Sequence, residues 1–389
     1  MTPAPRSSLL LLSFSIAAVG IQALMLSPLL TDIAAGLQTG PKEIGFAAGA
    51  YGVGVALSAL LAAPQLGRWP KRNAIRMAFA VLGGALLVCA LAVDWRLLAL
   101  GQFVAGLASG VIIPATYALT GDVAEPAERA RAMGRVLFGW SVAMVAGVPL
   151  AAILSGLVGW RGTFLIVAVI AFAMTLAGLL LPRVAASGAS ETIRYREVLG
   201  VPGAAVGFVS TFAYMIGFYQ TYTFIGDHVR QLHGAGAWLG GTISLAYGIG
   251  FGTGVVFDRW IDRRGPRQVL PLTLFLVGLN YAALPAAALT VPTMMVYPFV
   301  WGLANHLCMT ALVSYLGALS TRMRGAIMGL FSFTTYVALG TAGFVYGPVY
   351  DVHGFAAVSL ASMVTLWLAA GLSRLTLPQP RTGSSSGRP

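Results

Sequence analysis

The fold is decided by residues 97–164, which read LLALGQFVAGLASGVIIPATYALTGDVAEPAERARAMGRVLFGWSVAMVAGVPLAAILSGLVGWRGTF. Two long apolar runs frame a charged turn, and a third run begins at the end of the stretch. The second run carries Gly139, Gly147, Pro149 and Gly156, which let a neighbouring backbone approach closely and let the helix bend. In a membrane such a bend is tolerated only against protein or a cavity. The stretch therefore predicts bent, closely packed transmembrane helices.

The composition of the whole chain excludes a soluble globular protein. Hydrophobic residues make up 58% and charged residues only 9%, and the mean hydropathy is +0.82. Soluble domains carry roughly 25% charged residues. A chain of 389 residues has room for about twelve spans of ~20 residues joined by short loops.

Twelve apolar runs can be delimited along the chain. They cover about residues 8–30, 44–64, 74–93, 97–120, 132–157, 162–181, 202–225, 237–257, 268–287, 291–317, 325–350 and 355–377. The first run is too long for the core of a signal peptide and lacks a clear small-residue cleavage site, so we expect it to remain as a span. We expect residues 1–181 and 202–377 to form six-helix bundles, 182–201 a cytoplasmic linker, and 378–389 a disordered cytoplasmic tail.

The basic residues are divided unevenly between the two sets of loops. If the amino terminus is cytoplasmic, 20 of the 24 Lys and Arg residues lie on the cytoplasmic side, and the exceptions are Lys42, Arg96, Arg161 and Arg230. This division follows the positive-inside rule and predicts that both termini are cytoplasmic. The net charge of +12 is spread over many loops, so we expect no nucleic-acid partner.

An internal repeat relates the two halves at an offset of 195 residues. It pairs Arg68 with Arg263, Arg72 with Arg267, Arg129 with Arg324, Met133 with Met328, Gly134 with Gly329 and Gly159 with Gly354. These positions lie at equivalent ends of equivalent spans, so the chain is expected to contain two similar halves.

One string carries a family resemblance. The residues GVPLAAILSGLVGWRGTF, preceded by AERARAMG, resemble the fourth and fifth spans of major facilitator superfamily transporters, in particular the bacterial drug:proton and sugar-efflux antiporters. The resemblance implies an all-α integral membrane protein with twelve transmembrane helices in two pseudo-symmetric six-helix bundles. It also implies a monomer in the bacterial inner membrane, with a small-molecule site between the bundles near the bilayer midplane.

The loop between the second and third spans of this family resembles G-x-L-a-D-R-x-G-R-[RK] and fastens neighbouring helix ends in one gating state. The second half of the chain keeps this loop as Asp262, Arg263, Gly265 and Arg267. The first half keeps Arg68 and Arg72, but Gly67 stands where the repeat predicts the acid, and Pro70 where it predicts glycine. A gating latch and plain positive-inside charge both remain open for these loops.

Proton coupling is implied by the resemblance, but the residues give it little support. Gln102, four residues before Gly106, stands where many proton-driven members carry arginine, and all twelve acidic residues fall in predicted loops or span ends. Intramembrane carboxylates are the usual proton carriers. His306 is the ionisable side chain predicted deepest in the membrane, so it is the first proton-coupling candidate, followed by Asp32 and Asp122. A neutral, hydrogen-bonded histidine and a substrate contact are the other interpretations of His306.

Polar residues within the apolar spans outline a substrate cavity. They are Gln22, Gln102, Tyr117, Tyr214, Thr221, Tyr222, Asn305 and His306. On the seventh span, helical spacing places Tyr214, Thr221 and Tyr222 on one face and Tyr219 on the opposite face, and we expect the first face to line the cavity. Because no charge of either sign is predicted inside, the cavity suits a neutral or amphiphilic molecule.

The sequence therefore predicts a secondary active transporter that works by alternating access and exports a drug, sugar or metabolite in exchange for protons. The alternatives are a proton-independent facilitator, an importer, and a membrane sensor that kept the transporter fold. We expect no enzyme activity, cofactor or metal, because Cys89 and Cys308 lack metal-ligand spacing and no catalytic cluster is found. The glycines of GIGFGTG at 248–254 are expected to serve helix packing.

Overall fold

The computed structural model describes residues 6–62, 69–125, 128–184, 195–320 and 322–376. Within these ranges the chain is almost entirely helical and contains no strand. The helices are α1 (Arg6–Leu24), α2 (Leu26–Gly36), α3 (Pro41–Ala62), α4 (Lys71–Ala90), α5 (Trp95–Val123), α6 (Arg129–Val142), α7 (Val148–Ala177), α8 (Tyr195–Leu199), α9 (Ala204–His233), α10 (Ala237–Thr253), α11 (Asp258–Arg264), α12 (Pro266–Ala287), α13 (Val291–Ala318) and α14 (Arg324–Thr376). The predicted all-α membrane fold is thereby confirmed.

The described helices provide twelve spans. Nine segments are long and apolar enough to cross a membrane, and two of these, Arg131–Leu180 and Arg324–Thr376, are 50 and 53 residues long and fold back as hairpins of two spans. Helix α9, with 30 residues, supplies another span, made less apolar by its Tyr, Thr and Gln residues. The six spans from α1 to α7 form the amino-terminal half, and those from α9 to α14 form the carboxyl-terminal half.

The two hairpins turn at equivalent glycines. Gly159 has φ 74° and ψ 167°, and Gly354 has φ 74° and ψ −176°. A positive φ of this kind is readily adopted only by glycine. The two residues are 195 positions apart, so the same turn recurs at the offset predicted from the sequence.

In each half, two helices cross so closely that glycines press against carbonyl groups of the partner. The contacts are Gly54 with Phe103 and Gly106 with Tyr51 between α3 and α5, and Gly250 with Phe299 and Gly302 with Tyr247 between α10 and α13. Their offset is 196 residues, so the gapless shift of 195 is wrong for this part of the chain. With an offset of 196 residues, Pro70 pairs with Pro266, the first residue of α12. Trp69 then pairs with Gly265.

Successive spans run in opposite directions, so the loops alternate between two ends of the bundle. One end, the arginine-rich end, carries the turns that precede α4, α6, α12 and α14. The opposite end of the bundle is the far end. The halves pack through α3 with α14, α7 with α10 and α2 with α9. Among the described residues, every hydrogen bond and ion pair between the halves lies between the far end and the middle of the helices. The halves are therefore joined at the far end and separate toward the arginine-rich end.

Two spans extend beyond their predicted ends. The first continues through a break at Met25 into α2, which ends at Gly36 instead of near residue 30, and the seventh ends at His233 instead of near residue 225. Asp32 and Asp227 consequently lie in the last turns of packed helices and not in loops. The hydrophobic runs stop earlier because these turns bury polar groups against the opposite half.

Candidate functional site

The predicted cavity residues of the amino-terminal half bond to one another. Gln22 Nε2 donates to Gln102 Oε1 at 2.8 Å, and Gln102 Nε2 lies 3.7 Å from Cys89 Sγ. Both glutamines are only 1% exposed. Trp140 Nε1 donates to the Tyr117 hydroxyl at 3.0 Å. Gln102 thus ties α5 to α1 through a neutral amide pair.

The predicted face of α9 is bonded within its own half. The Tyr214 hydroxyl donates to the Asn305 carbonyl at 3.0 Å, Thr221 pairs with Ser362 at 2.9 Å, and Tyr222 pairs with Ser244 at 2.8 Å. In this state their hydroxyls are directed to neighbouring helices of the carboxyl-terminal half, and their role as substrate contacts stays a prediction. Tyr219, on the opposite face, is partly exposed.

His306 has an acidic partner that the sequence did not suggest. Its Nε2 lies 2.9 Å from Asp258 Oδ1 and 3.3 Å from the Thr310 hydroxyl, while its Nδ1 is buried without a partner. Gly254 makes room for the ring, because a Cβ there would overlap the imidazole. Neighbouring Asn305 donates to the Trp301 carbonyl within α13.

Asp32 joins the two halves at the far end. Arg230 Nη2 on α9 donates to Asp32 Oδ1 at 2.6 Å, and Ser155 of α7 donates to Asp32 Oδ2 at 3.1 Å. Arg230 Nη1 also donates to the Pro28 carbonyl at 3.2 Å. The Arg230 side chain is 9% exposed and that of Asp32 31%, so the guanidinium is buried while the carboxylate is partly open to water.

A second carboxylate beside this pair was missed by the sequence analysis. Asp227 is 1% exposed and accepts hydrogen bonds from Thr31 of the opposite half at 2.8 Å, from Gln231 at 2.8 Å and from Tyr350 at 2.7 Å. One signal could have found it: Asp227 lies three residues before Arg230, one turn away on the same helix.

The remaining coupling candidate, Asp122, lies near the arginine-rich end. Lys71 Nζ is 2.5 Å from Asp122 Oδ2, and the lysine side chain is 8% exposed. Both residues belong to the amino-terminal half, on α4 and α5. This pair therefore holds two neighbouring helices together and does not connect the halves.

The predicted latch residues lie apart from the inter-half contacts. Asp262 and Arg263 are exposed on α11 and form no ion pair with any described residue, and Arg267 lies over the Tyr315 ring at 6.0 Å. Gly265 has φ 83°, which makes the turn into α12. Arg72 donates to the carbonyls of Leu179 and Leu181 at 3.3 and 3.5 Å, whereas Arg68 lies outside the described residues.

The glycines and proline predicted to bend the fifth span differ in their surroundings. Gly139 packs on the backbone of α1 at Ser13, and Gly147 packs on Ile21. A π-helical turn, Ala143–Gly147, precedes Pro149, as expected where proline removes a helical donor. Pro149 contacts Gly241 across the halves. Gly156 has no neighbour within 4 Å of a Cβ position in this state, so its role in packing or bending stays a prediction.

A groove of about 260 Å³ lies on another face of the molecule. It is bounded by α3, α4 and α5 and is lined almost entirely by apolar side chains, among them Met77, Val81 and Leu107. Met77 is 67% exposed, so this groove opens to the outer, lipid-facing surface. None of the predicted substrate residues lines it.

Comparisons with known proteins agree with this architecture. The chain is 32% identical to an uncharacterized MFS-type transporter, YwfA, of Bacillus subtilis (strain 168), over 90% of this chain and 87% of that protein. It is 28% identical to a chloramphenicol resistance protein of Streptomyces lividans, over 72% and 75%.

A solved structure shows the same fold. It is a bacterial homologue of the human lysosomal transporter Spinster in an inward-facing and occupied conformation, with a TM-score of 0.80, 17% identity, and 97% of both chains covered. The family model described as Major Facilitator Superfamily matches residues 12–344. The resemblance found in the sequence is confirmed, and the chain belongs to the Major Facilitator Superfamily of membrane transporters.

Proposed function

We propose that this transporter exports a small neutral or amphiphilic organic molecule in exchange for protons, with its arginine-rich end in the cytoplasm of a bacterial inner membrane. The positive-inside rule supports this orientation. In it, the far end faces outward, so the contacts between the halves close the outer side. The structure then corresponds to the inward-facing state of an alternating-access cycle.

The orientation can be tested by cysteine labelling. Cys89 and Cys308 are buried, so single cysteines at exposed positions in the loops report the side of the membrane. Glu125→Cys, at the arginine-rich end, is expected to react in intact cells only with a permeant maleimide, whereas Leu289→Cys, at the far end, reacts also with an impermeant one. Equal labelling of both by the impermeant reagent would contradict the twelve-span topology.

The Asp32–Arg230 pair is the observation that carries proton coupling. Among the described residues, it is the only proton-coupling candidate whose charged partner lies on the other half; His306 and Asp122 have partners within their own halves. A proton on Asp32 removes the attraction to Arg230 and favours separation of the halves at the far end. Separation opens Asp32 to the outer side, and the pair with Arg230 forms again when the halves close there.

Coupling requires that the proton leave on the cytoplasmic side. Proteoliposomes with a trapped pH dye measure this movement of protons across the membrane. Chloramphenicol and inosine, both neutral ring compounds with hydroxyl groups, serve as trial substrates. Wild type is expected to move protons when substrate is added. Asp32→Asn is expected to lose this proton flux but keep substrate exchange, because the asparagine is neutral throughout the cycle.

Three matched variants give the controls. Ser155→Ala removes only a hydroxyl bonded to Asp32 and is expected to keep proton flux, as are Asp122→Asn and His306→Gln. Loss of flux in His306→Gln, with flux kept in Asp32→Asn, would move the proton site to the His306–Asp258 pair. If the wild type exchanged substrate without moving protons, it would be an uncoupled facilitator. If it transported none of a broad panel of compounds, the sensor would be favoured.

A further inference from the structure

Two arginines of α4 lie against the end of the sixth span, on the outer side of the amino-terminal half. Arg72 Nη1 donates to the Leu179 carbonyl at 3.3 Å. Arg76 Nε, one turn later on α4, donates to the Thr175 carbonyl at 3.1 Å. Gly178 makes room for Arg76, because a Cβ there would overlap the Cγ of the arginine. The backbone at the end of the sixth span is therefore shaped to receive an arginine side chain.

The positive charge at this place is not neutralised by the described part of the protein. Arg183, just beyond the end of the sixth span, adds a third guanidinium, which is exposed. None of the ion pairs found among the described residues includes Arg72, Arg76 or Arg183, and these residues are called the arginine triad. A guanidinium has five N–H donors, and Arg76 uses only its Nε with described residues. Most donors of the triad are therefore open to an acceptor from outside the fold.

The arginine triad lies at the level of the lipid headgroups. The carbonyl that Arg76 contacts is five residues before the end of the apolar segment at Leu180, so it lies about 8 Å inside that end. The side chains around it are apolar and largely exposed on the outer surface: Met77 (67%), Leu176 (66%) and Leu180 (75%). An arginine surrounded by lipid-facing side chains extends its guanidinium toward the headgroups.

The carboxyl-terminal half closes the equivalent place without arginines. With the offset of 196 residues, Arg72 pairs with Gln268 of α12. Arg76 pairs with Leu272, which is uncharged. In that half Trp367 of α14 reaches α12 instead, and its Nε1 donates to a main-chain carbonyl at 3.2 Å. The repeated fold therefore does not require these arginines, and their charge points to an interaction of the amino-terminal half alone.

The chemistry of the arginine triad matches an anionic phospholipid. Guanidinium groups bind phosphate through paired N–H donors and carry their charge at every physiological pH. A zwitterionic headgroup adds a cation of its own, which three arginines without a carboxylate repel. Basic pockets between transmembrane helices are known sites for anionic headgroups.

We infer that the arginine triad binds a phospholipid whose headgroup carries a net negative charge. The phosphate accepts hydrogen bonds from Arg76 and Arg183, and the acyl chains lie along the exposed apolar side chains of α4 and the sixth span. This site is on the lipid-facing surface, away from the space between the halves. It holds the end of the sixth span to α4, so an occupied site stabilises the amino-terminal half.

Binding is tested with delipidated full-length protein in detergent. Dioleoylphosphatidylglycerol is the anionic probe and dioleoylphosphatidylcholine the zwitterionic one, and glycerol 3-phosphate supplies the phosphate without acyl chains. Unfolding is followed by the loss of monodisperse protein on heating, and native mass spectrometry counts the lipids retained. We expect the phosphatidylglycerol to raise the unfolding temperature and to be retained on the protein, whereas the other two probes have little effect.

Arg183→Gln is the sharpest variant, because Arg183 forms no bond with a described residue that the fold could lose. We expect it to weaken binding of the phosphatidylglycerol roughly three- to fivefold and to leave the unfolding temperature without lipid unchanged. Arg76→Gln is expected to weaken binding at least as much, although it also removes the bond to the Thr175 carbonyl. Arg259→Gln is the matched control, since Arg259 is an exposed arginine at the same end of the bundle, on α11. We expect this variant to bind the lipid as wild type does.

Several results would overturn the inference. They are equal stabilisation by the two lipids, equal lipid binding by wild type and Arg183→Gln, and an equal loss in Arg259→Gln. A full effect of glycerol 3-phosphate would indicate a site for a soluble phosphate compound instead. Glu191 lies outside the described residues; a lower unfolding temperature of Glu191→Gln, with no effect of phosphatidylglycerol, would assign the triad to that carboxylate. No substrate or proton enters these measurements, so their outcome is independent of the proposed function.

Discussion

Replacing Gly106 with alanine is expected to unfold the amino-terminal half or to lower its unfolding temperature by roughly 5 °C or more. A Cβ at Gly106 would lie against the carbonyl group of Tyr51 on α3. Because that atom belongs to the main chain of a helix, it cannot rotate away as a side chain would. The helices would have to separate, and the reciprocal contact of Gly54 with Phe103 would be lost with them.

The repeat makes the same experiment possible in the other half. Gly302→Ala meets the Tyr247 carbonyl in the same way and is expected to have a similar effect. Gly84→Ala is the matched control, since no atom lies within 4 Å of its Cβ position and alanine favours helix over glycine. Unfolding is followed by the loss of monodisperse protein on heating in detergent. A Gly106→Ala variant as stable as Gly84→Ala would show that the crossing adapts to a side chain.

Replacing Arg230 with glutamine is expected to shift the protein toward a state that is open at the far end by about five- to thirtyfold. Breaking a buried ion pair costs about 3–5 kcal/mol, and the partly exposed Asp32 carboxylate reduces this to about 1–2 kcal/mol. The cost falls only on the state in which the halves touch, because the pair exists only there. The variant therefore changes the balance between conformations more than the stability of either half.

Distances between spin labels at Ala35 and Val352, both exposed near the far end, report this balance. The matched control is Lys42→Gln, which removes an ion pair with Asp351 that also crosses between the halves. That pair is longer, at 3.9 Å, and its side chains are 33% and 43% exposed, so we expect less than about a twofold shift. Equal shifts in the two variants would show that burial does not set the strength of these pairs. Exchange of the charges, with Asp32→Arg and Arg230→Asp, is expected to restore the closed population.

The spans were predictable because hydrophobic runs of the required length are a strong local signal. The ends of two spans were not, because the last turns of α2 and α9 are polar. Asp32, Asp227 and Arg230 are helical there because partners from the other half satisfy them, and a hydropathy pattern contains no information about those partners. The hairpin glycines were found by the repeat, whereas the one-residue difference in offset became visible only from the glycine crossings.

The site was less predictable than the fold. Periodicity divides α9 correctly into a Tyr219 face and a Tyr222 face, but it does not say which neighbours each face meets. His306 was expected to be alone in the membrane, yet Asp258, 48 residues earlier, lies 2.9 Å away. Such a distance depends on how α11 and α13 pack, which is a property of the tertiary structure.

The glycine crossings have a consequence for motion. Two helices in backbone contact at a glycine crossing are expected to move together, so α3 and α5 would turn as one body about the seam near Gly52 and Gly340. From Gly52 to Lys42 a helix rises about 15 Å, and a rotation of ~20° would move its tip by about 5 Å. Displacement would therefore grow with distance from the seam, so the largest movements are expected at the two ends of the bundle and the smallest beside Gly52 and Gly340.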